Sequence, residues 1–242
     1  MFLVFLRAGA VVSLLPGFGE RMVPGRVRLG AAIAFAVLTW PLVQGRLPSA
    51  LPPPAAMGLA FLAEAANGLL LGIGFRLVVM VLQLAGSVAA QSTSLAQIFG
   101  AGATPDPLPA IGNILVIAGL AVAMAAGLHV RAVQALSLSY DILPAGRFAA
   151  AADVAAWGTS RVAGAFALAV TLAAPFVLAS LAYNVALGAI NRAMPQLMVA
   201  FIGAPAITAG GIVLLMLSAP VVLDVWRGTL DAALSAPLGP VP

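Results

Sequence analysis

The chain has 242 residues, of which 63% are apolar and only 7% are charged, and its mean hydropathy is +1.13. A soluble domain carries about 25% charged residues, so this composition indicates an integral membrane protein. The net charge of +4 is too small, and the arginines are too scattered, for a nucleic-acid-binding protein. The absence of cysteine and the single histidine exclude disulfide frameworks and most metal sites, and we expect no cofactor.

Long apolar segments predict an all-α membrane protein. The first segment is interpreted as a mature helix, because no basic region precedes it and no small-residue cleavage site follows it. Pro48 to Pro54 predict an extended link, and Pro175 is expected to interrupt the fifth segment. In chain order the predicted helices cover residues 1–15, 29–43, 56–84, 111–128, 162–191 and 198–223.

Three features argue against a simple row of membrane spans. The segment 56–84 is longer than the about 20 residues that a perpendicular span needs. Residues 129–160 mix charged and apolar side chains around a break at Pro144, which predicts an amphipathic link at an interface or against a partner. The arginines divide so evenly between alternate sides that the positive-inside rule assigns no orientation. One explanation is that some apolar segments are helical hairpins or pack on other proteins.

A polar stretch from Gln83 to Asn113 lies between these apolar segments. Its first half is rich in hydroxyl and amide side chains, which lipid-facing helices avoid because an unpartnered polar group is costly in hydrocarbon. Its second half, Gly100 to Pro109, contains glycine, proline and aspartate and is predicted not to continue a helix. Such backbone occurs at membrane depth only where protein or water surrounds it. The stretch is therefore a candidate functional site.

Glu64, Asn67 and Arg76 lie within the third apolar segment. Glu64 and Asn67 are three residues apart and are therefore neighbours on a helix surface. Intramembrane ionisable groups need partners, and two interpretations are equally open: a proton or ion relay, or pairing with neighbouring subunits that fixes assembly. The Gly68 to Gly72 pattern is expected to mediate close helix packing inside the chain rather than a homodimer contact.

The sequence predicts that the protein is not an enzyme. A serine nucleophile would have only His129 as its base, the nearest acid in the sequence is Asp141, and the chain has no G-x-S-x-G turn. The run from Gly100 to Ala103 lacks the G-K-[ST] ending of a phosphate-binding loop. We therefore expect no catalytic, cofactor-binding or metal-binding residue.

Four regions resemble motifs of a known family. Leu187 to Val199 is similar to the signature L-G-x-x-x-R-x-x-P-Q-x-x-V, and Phe18 to Arg28 is similar to the turn F-G-x-x-x-V-P-x-R-x-R. Leu128 to Gly146 carries residues similar to the G-H-x-x-L and S-Y-x-x-L-P-x-G patterns, and Glu64 stands where the family has an acidic residue. This is the family of the flagellar biosynthetic protein FliR, which also includes the injectisome export-apparatus component.

The resemblance implies a component of the flagellar type III protein export gate, in the bacterial inner membrane at the flagellar basal body. In that family one copy joins FliP- and FliQ-type subunits in a helical assembly, and an FlhB-type subunit wraps the entrance. Unfolded export substrates then pass through the centre. The resemblance also implies a single export-gate domain over residues 1–242, built of long kinked helices and helical hairpins that look like a FliP-FliQ fusion. Membrane lipid is an expected partner and nucleic acid is not.

The family's plug loop falls within the polar stretch 83–113, so the resemblance assigns the closing of the pore to this stretch. The expected plug residues are Gln97, Phe99, Gly100, Gly102, Pro105 and Asp106. The expected assembly and structural residues are Pro24, Arg26, Arg28, Glu64, Arg76, Arg192, Pro195 and Gln196.

Three alternatives stay open at this point. An injectisome homologue is the nearest, and the flagellum is favoured because the central motifs are closer to that branch. A secondary transporter would use Glu64, Asn67 and Arg76 as its polar core. A structural membrane scaffold would contain no conduit at all.

Overall fold

The computed structural model describes residues 1–20, 22–48, 53–94, 110–193 and 199–239. This part of the chain is helical and contains no strand, which confirms the all-α prediction. Its elements are α1 (Phe2–Leu14), α2 (Gly25–Val43), a short 3-10 helix (Gln44–Arg46), α3 (Pro54–Ser94), α4 (Ala110–Ala125), α5 (Leu128–Ile142), α6 (Ala151–Ala193) and α7 (Val199–Ser235).

Two sequence predictions about helix continuity are wrong. Residues 129–160, predicted as a link, form most of α5 and the first turns of α6, and the break at Pro144 is confined to the short turn between them. The alanine-rich run after Phe148 favours helix more strongly than its mixed polarity suggests. α6 also continues through Pro175. Proline removes one backbone N–H, and a membrane helix tolerates that loss when its surroundings satisfy the carbonyl that is freed.

The described residues contain four helices that are long and apolar enough to span a membrane, which confirms the membrane prediction. A fifth candidate is the pair α4 and α5, two apolar helices separated by a bend of 75°. At this bend Gly127 has a φ of +79°, a left-handed conformation that residues with a Cβ rarely adopt. The four single spans are Gly25–Arg46, Ala56–Ser92, Ala151–Ala193 and Ala206–Ser235.

The chain forms two compact units, each assembled from separate stretches of sequence. The first unit contains Met1–Val79, Leu120–Gly164 and Arg227–Pro242, and the second contains Met80–Gly119 and Ala165–Trp226. Four helices, α3, α4, α6 and α7, contribute residues to both units. The division therefore does not follow the order of the chain, and the single export-gate domain over residues 1–242 stays a prediction.

In the first unit, α1 packs closely against α3 at Gly68 and Gly72. A Cβ added at Gly68 would lie 2.5 Å from the backbone oxygen of Arg7, and one at Gly72 would lie 2.9 Å from the Cβ of Leu14. Real Cβ atoms do not approach other atoms so closely, so the two helices reach this distance only because both positions are glycine. The contact confirms that the Gly68 to Gly72 pattern packs helices inside the chain.

In the second unit, the hydroxyl groups at the start of the polar stretch bond to helix carbonyls. Ser87 Oγ donates to the backbone oxygen of Gln83, and Ser92 Oγ donates to that of Val88, both at 2.8 Å. The buried Ser180 of α6 donates to the backbone oxygen of Ser92 at 2.7 Å. Each of these hydroxyl donors is thus satisfied without water, and the predicted polar helix extends to the end of α3.

Replacing Gly68 with alanine is expected to destabilise the protein. The added methyl group would meet the backbone of α1, which cannot move aside as the end of a flexible side chain could. We expect the free energy of unfolding to fall by about 1 to 3 kcal/mol, as is typical of overpacking. Thermal unfolding of the purified protein in detergent measures this change.

Gly58→Ala is the matched control, because it adds the same methyl group to the same helix with no atom within 4 Å of the new Cβ. This variant should unfold at nearly the temperature of the unaltered protein. Equal destabilisation by the two substitutions would contradict the packing argument.

Candidate functional site

A buried ion pair joins α1 to α3. Arg7 Nε donates to Glu64 Oε2 at 2.8 Å, and Arg7 Nη2 donates to Glu64 Oε1 at 3.0 Å. Both side chains have no solvent-exposed surface. The two parallel hydrogen bonds match the planar guanidinium to the carboxylate, which is the strongest geometry available to such a pair.

Three further residues complete the coordination of this ion pair. Tyr140 Oη donates to Glu64 Oε2 at 3.1 Å, and the backbone N–H of Gly146 donates to Glu64 Oε1 at 2.8 Å. Arg7 Nη1 donates to Ser139 Oγ at 3.1 Å, and the guanidinium carbon lies 3.7 Å from the centroid of the Tyr140 ring. Each carboxylate oxygen therefore accepts two hydrogen bonds, which fills its lone-pair sites. We call these five residues the Arg7–Glu64 cluster.

The Arg7–Glu64 cluster draws on α1, α3, α5 and the turn between α5 and α6. In this turn Gly146 has a φ of +72°, a left-handed conformation that suits glycine, and donates its N–H to Glu64. Asn67 donates from Nδ2 to the backbone oxygen of Arg147 at 2.8 Å and holds the same turn. The three-residue spacing of Glu64 and Asn67 therefore places both side chains on the face of α3 that meets this turn.

This arrangement is suited to joining helices. Removing a charge from water costs several kcal/mol unless it is paired and hydrogen-bonded, and both charges of the cluster meet that condition. The sequence leaves a relay and a neighbouring subunit open as explanations for Glu64, and the structure instead gives Glu64 a partner inside the chain. Across the described ranges, no three histidine or acidic side chains gather as metal ligands would.

A second group of polar contacts fixes the turn between α1 and α2. Glu20 forms an ion pair with Arg76 of α3, and its backbone oxygen accepts a hydrogen bond from Arg28 Nη2 at 3.0 Å. Pro24 occupies the position before the first residue of α2, and Arg26 is exposed in the first turn of that helix. The structure therefore brings Arg28 and Arg76, two predicted structural residues, to the same acidic residue.

The other predicted site residues are not part of these contacts. Arg192 is exposed in the last turn of α6, in the second unit. The remaining ones lie outside the described residues, and their roles stay predictions: Gln97, Phe99, Gly100, Gly102, Pro105, Asp106, Pro195 and Gln196.

Two arginines have roles that sequence reasoning does not identify. Arg7 forms half of the buried ion pair. The sequence feature that could have identified it is its position as a charged residue in the middle of an apolar helix. Arg161 Nη2 donates to the backbone oxygens of Ala236, Pro237 and Gly239 at 3.1, 3.3 and 2.9 Å. No local signal identifies Arg161, because its acceptors are backbone atoms 75 to 78 residues later in the chain.

Replacing Glu64 with glutamine is expected to destabilise the first unit strongly. The substitution keeps the size of the side chain but leaves the guanidinium of Arg7 buried without a countercharge. We expect a loss of about 3 to 5 kcal/mol in the free energy of unfolding, as for other broken buried pairs. Denaturant-induced unfolding in detergent, followed by circular dichroism, measures the loss.

The half-exposed ion pair between Arg46 Nε and Asp141 Oδ1, at 3.1 Å, supplies the control. Asp141→Asn should cost less than about 1 kcal/mol, because solvent screens this pair. A double variant with methionine at both Arg7 and Glu64 should be less harmful than Glu64→Gln, since it leaves no unpaired charge. The interpretation fails if Glu64→Gln costs no more than Asp141→Asn.

Comparisons with known proteins cover nearly the whole chain. Residues 1–233 match the family model of the bacterial export proteins, family 1. The chain is 36% identical over 230 residues to the flagellar biosynthetic protein FliR of Caulobacter vibrioides, with 93% of this chain and 90% of that protein covered. It is 27% identical over 230 residues to FliR of Aquifex aeolicus, with 92% and 86% covered, and 27% identical over 234 residues to FliR of Bacillus subtilis, with 95% and 89% covered.

These matches agree with the motifs found in the sequence. The family match includes the turn from Phe18 to Arg28, the acidic position at Glu64, the region Leu128 to Gly146 and the signature from Leu187 to Val199. The resemblance inferred from these four regions is thereby confirmed. The chain belongs to the bacterial export proteins, family 1.

Proposed function

We propose that the chain forms, with partner subunits, a protein-conducting channel for unfolded flagellar substrates. Its family and its FliR relatives make the chain a component of flagellar type III protein export in the bacterial inner membrane. A protein-conducting channel is a more specific role than that of an export component. The observation that supports the channel best is the small buried fraction of the apolar windows in α6 and α7.

α6 and α7 receive little cover from the rest of the described chain. Only 22% of the apolar window in α6 and 17% of that in α7 is buried. The side chains of Leu178, Leu181, Met216 and Leu217 are 61% to 72% exposed. α6 has 43 residues and is therefore about 64 Å long, whereas the hydrocarbon core of a membrane is about 30 Å thick. Lipid cannot cover such a helix along its whole length, so protein partners are needed.

Subunits of the FliP, FliQ and FlhB type meet this requirement in our proposal. The exposed faces of α6 and α7 pack on such subunits, and residues 1–242 act as one export-gate domain that looks like a FliP-FliQ fusion. Arg26 and Arg192 carry exposed guanidinium groups that can pair with acidic residues of a partner. We assign these two arginines, together with Pro195 and Gln196, to the assembly contacts.

The segment from Gln97 to Pro109 closes the channel in this proposal when no substrate is moving. Phe99 has the bulk to fill a lumen, and Gly100 and Gly102 allow backbone conformations that other residues resist. Pro105 prevents a regular helix, while Gln97 and Asp106 are polar side chains that suit a water-filled path.

Two alternatives have weaker support. A secondary transporter would use Glu64, Asn67 and Arg76 as its polar core, but each of these side chains has a hydrogen-bond partner within the chain. An injectisome homologue would share the architecture, and the FliR relatives favour the flagellum. An enzymatic activity of the chain is not part of this proposal.

A cysteine introduced at Phe99 is expected to crosslink to a substrate during export, because the proposed closing segment must touch the moving polypeptide. The chain has no cysteine of its own, so the introduced thiol is unique in this subunit. The measurement is the yield of the disulfide or maleimide adduct with a substrate that carries one cysteine and is stalled during export.

Met22→Cys is the control for this crosslink, because Met22 is 95% exposed in the turn between α1 and α2 and is not assigned to the channel. It should react with a soluble maleimide but not with the stalled substrate. Absence of an adduct at position 99 during active export would rule out the closing role of Phe99.

Deleting residues Gly100 to Asp106 is expected to make the membrane leakier to small ions, because the proposed closure is removed. Conductance of the assembled complex in planar bilayers, or ion release from liposomes, measures the leak. The shortened chain must assemble with its partners in the usual amount for the comparison to be valid. An unchanged conductance of the assembled complex would contradict a sealing role.

A further inference from the structure

In the second unit, α3 and α4 cross at two glycines, Gly86 and Gly112. A Cβ added at Gly86 would overlap the Cα of Gly112 and lie 2.7 Å from its backbone nitrogen. Backbone atoms cannot move aside as the end of a side chain could, so the helices reach this separation only because residue 86 is glycine. A Cβ added at Gly112 would meet its nearest neighbour, the backbone oxygen of Gln83, at an ordinary contact distance of 3.6 Å. The crossing therefore depends on one of its two glycines.

The end of α3 extends beyond this crossing, and α4 does not accompany it. α3 continues for eight residues after Gly86, to Ser94, which is about 12 Å at the rise of an α-helix. α4 begins only two residues before Gly112. From the crossing α4 runs back along α3, because Gly119 lies against the side chain of Leu82. Another element must therefore hold the last two turns of α3.

α6 holds this extension through the hydrogen bond from Ser180 to Ser92. The two residues are buried, and Ser180 Oγ lies 2.7 Å from the backbone oxygen of Ser92. Ser92 is two residues from the end of α3, so its carbonyl is one of the last four that have no partner within the helix. Asn184 Nδ2 donates to Ser180 Oγ at 3.3 Å, which leaves the hydroxyl proton of Ser180 for Ser92. Ser180 thus caps the end of α3 from a neighbouring helix.

These contacts hold both ends of the chain that connects α3 to α4. The end of α3 is held by Ser180, and the start of α4 is held by the crossing at Gly86. Fixing the two ends of a connection reduces the number of conformations open to the residues between them. The proposed closing segment, Gln97 to Pro109, belongs to this connection. A loosened end would therefore make any single closed position less favourable.

We propose that Gly86 and Ser180 are positioning residues for the closure of the channel. Gly86 sets the separation of α3 and α4, and Ser180 fixes the end of α3. Neither residue touches the exported polypeptide; both act through the ends of the connection, which they keep where the closing segment reaches the lumen. This inference rests on the proposed function of that segment. It adds that the resting seal depends on contacts in the second unit that lie outside the segment itself.

The test measures the ion conductance of the full-length chain, assembled with its export partners in planar bilayers without substrate. Ser180→Ala removes the donor to Ser92 and adds no bulk. It should raise the resting conductance per complex about fivefold, as expected for the loss of one buried hydrogen bond. Gly86→Ala should raise it about tenfold or more, because α4 must move away from the backbone that the new methyl group meets.

Each substitution has a matched control in the same unit. Gly112→Ala adds the same methyl group to the same crossing, at the position where there is room for it. Ser87→Ala removes the same hydroxyl group, but the acceptor of Ser87 is the carbonyl of Gln83 in its own helix. Both controls should keep the resting conductance of the unaltered complex. A merely structural role of Gly86 and Ser180 would lower the unfolding temperature or the assembled yield at an unchanged conductance per complex.

The deletion of Gly100 to Asp106 separates this inference from the proposed function. If the deletion leaks while Ser180→Ala and Gly86→Ala do not, the positioning role is overturned and the closing role stands. An unchanged conductance of the deletion variant overturns both. Where Gly86→Ala does not assemble, Ser180→Ala decides the outcome alone. Leaks of equal size in the two controls would also overturn the positioning role, because any disturbance of these helices would then open the channel.

Discussion

The buried pair of Arg7 and Glu64 is the constraint on which the first unit depends. Two charges without solvent contact are tolerated only when hydrogen bonds replace the lost water, and here the replacements come from α1, α3, α5 and the turn after α5. In a membrane, lipid tails are as apolar as leucine, so apolar contacts alone do not select one helix arrangement over another. The cluster makes that selection, because a shift of any one element would leave a buried polar group unpaired.

Much of the fold follows from local patterns, whereas the cluster does not. Composition predicts the membrane class, and the spacing of Gly68 and Gly72 predicts a close helix contact that the structure contains. The partners of Glu64 are 57, 76 and 82 residues away in the chain, and spacing carries no information across separate helices. The observed helix ends differ from the predicted ones for another reason: polarity predicts a link over residues 129–160, whereas alanine extends helices into segments of mixed polarity.

Ionic side chains and apolar helix surfaces are covered in different ways in this chain. Several ionic groups of the first unit find partners inside it, through the cluster and through the contacts of Glu20 with Arg28 and Arg76. The long helices α6 and α7 instead leave most of their apolar windows uncovered. Internal polar bonds can therefore fix the helix arrangement of the first unit, while the apolar surfaces of α6 and α7 remain open to neighbours. A subunit of a larger membrane assembly needs both properties, because its contacts must form after its own shape is set.

Arg161 holds the segment from Ala236 to Gly239 through backbone atoms alone. This arginine binds the backbone oxygens of Ala236, Pro237 and Gly239 and none of their side chains. The terminal segment is therefore held through its backbone path, and many side chains could occupy it without removing an acceptor. Leu238 lies between two of the bound residues and lines a cavity beside Trp157. One guanidinium thus sets the position of a cavity wall while tolerating changes in the sequence that forms it.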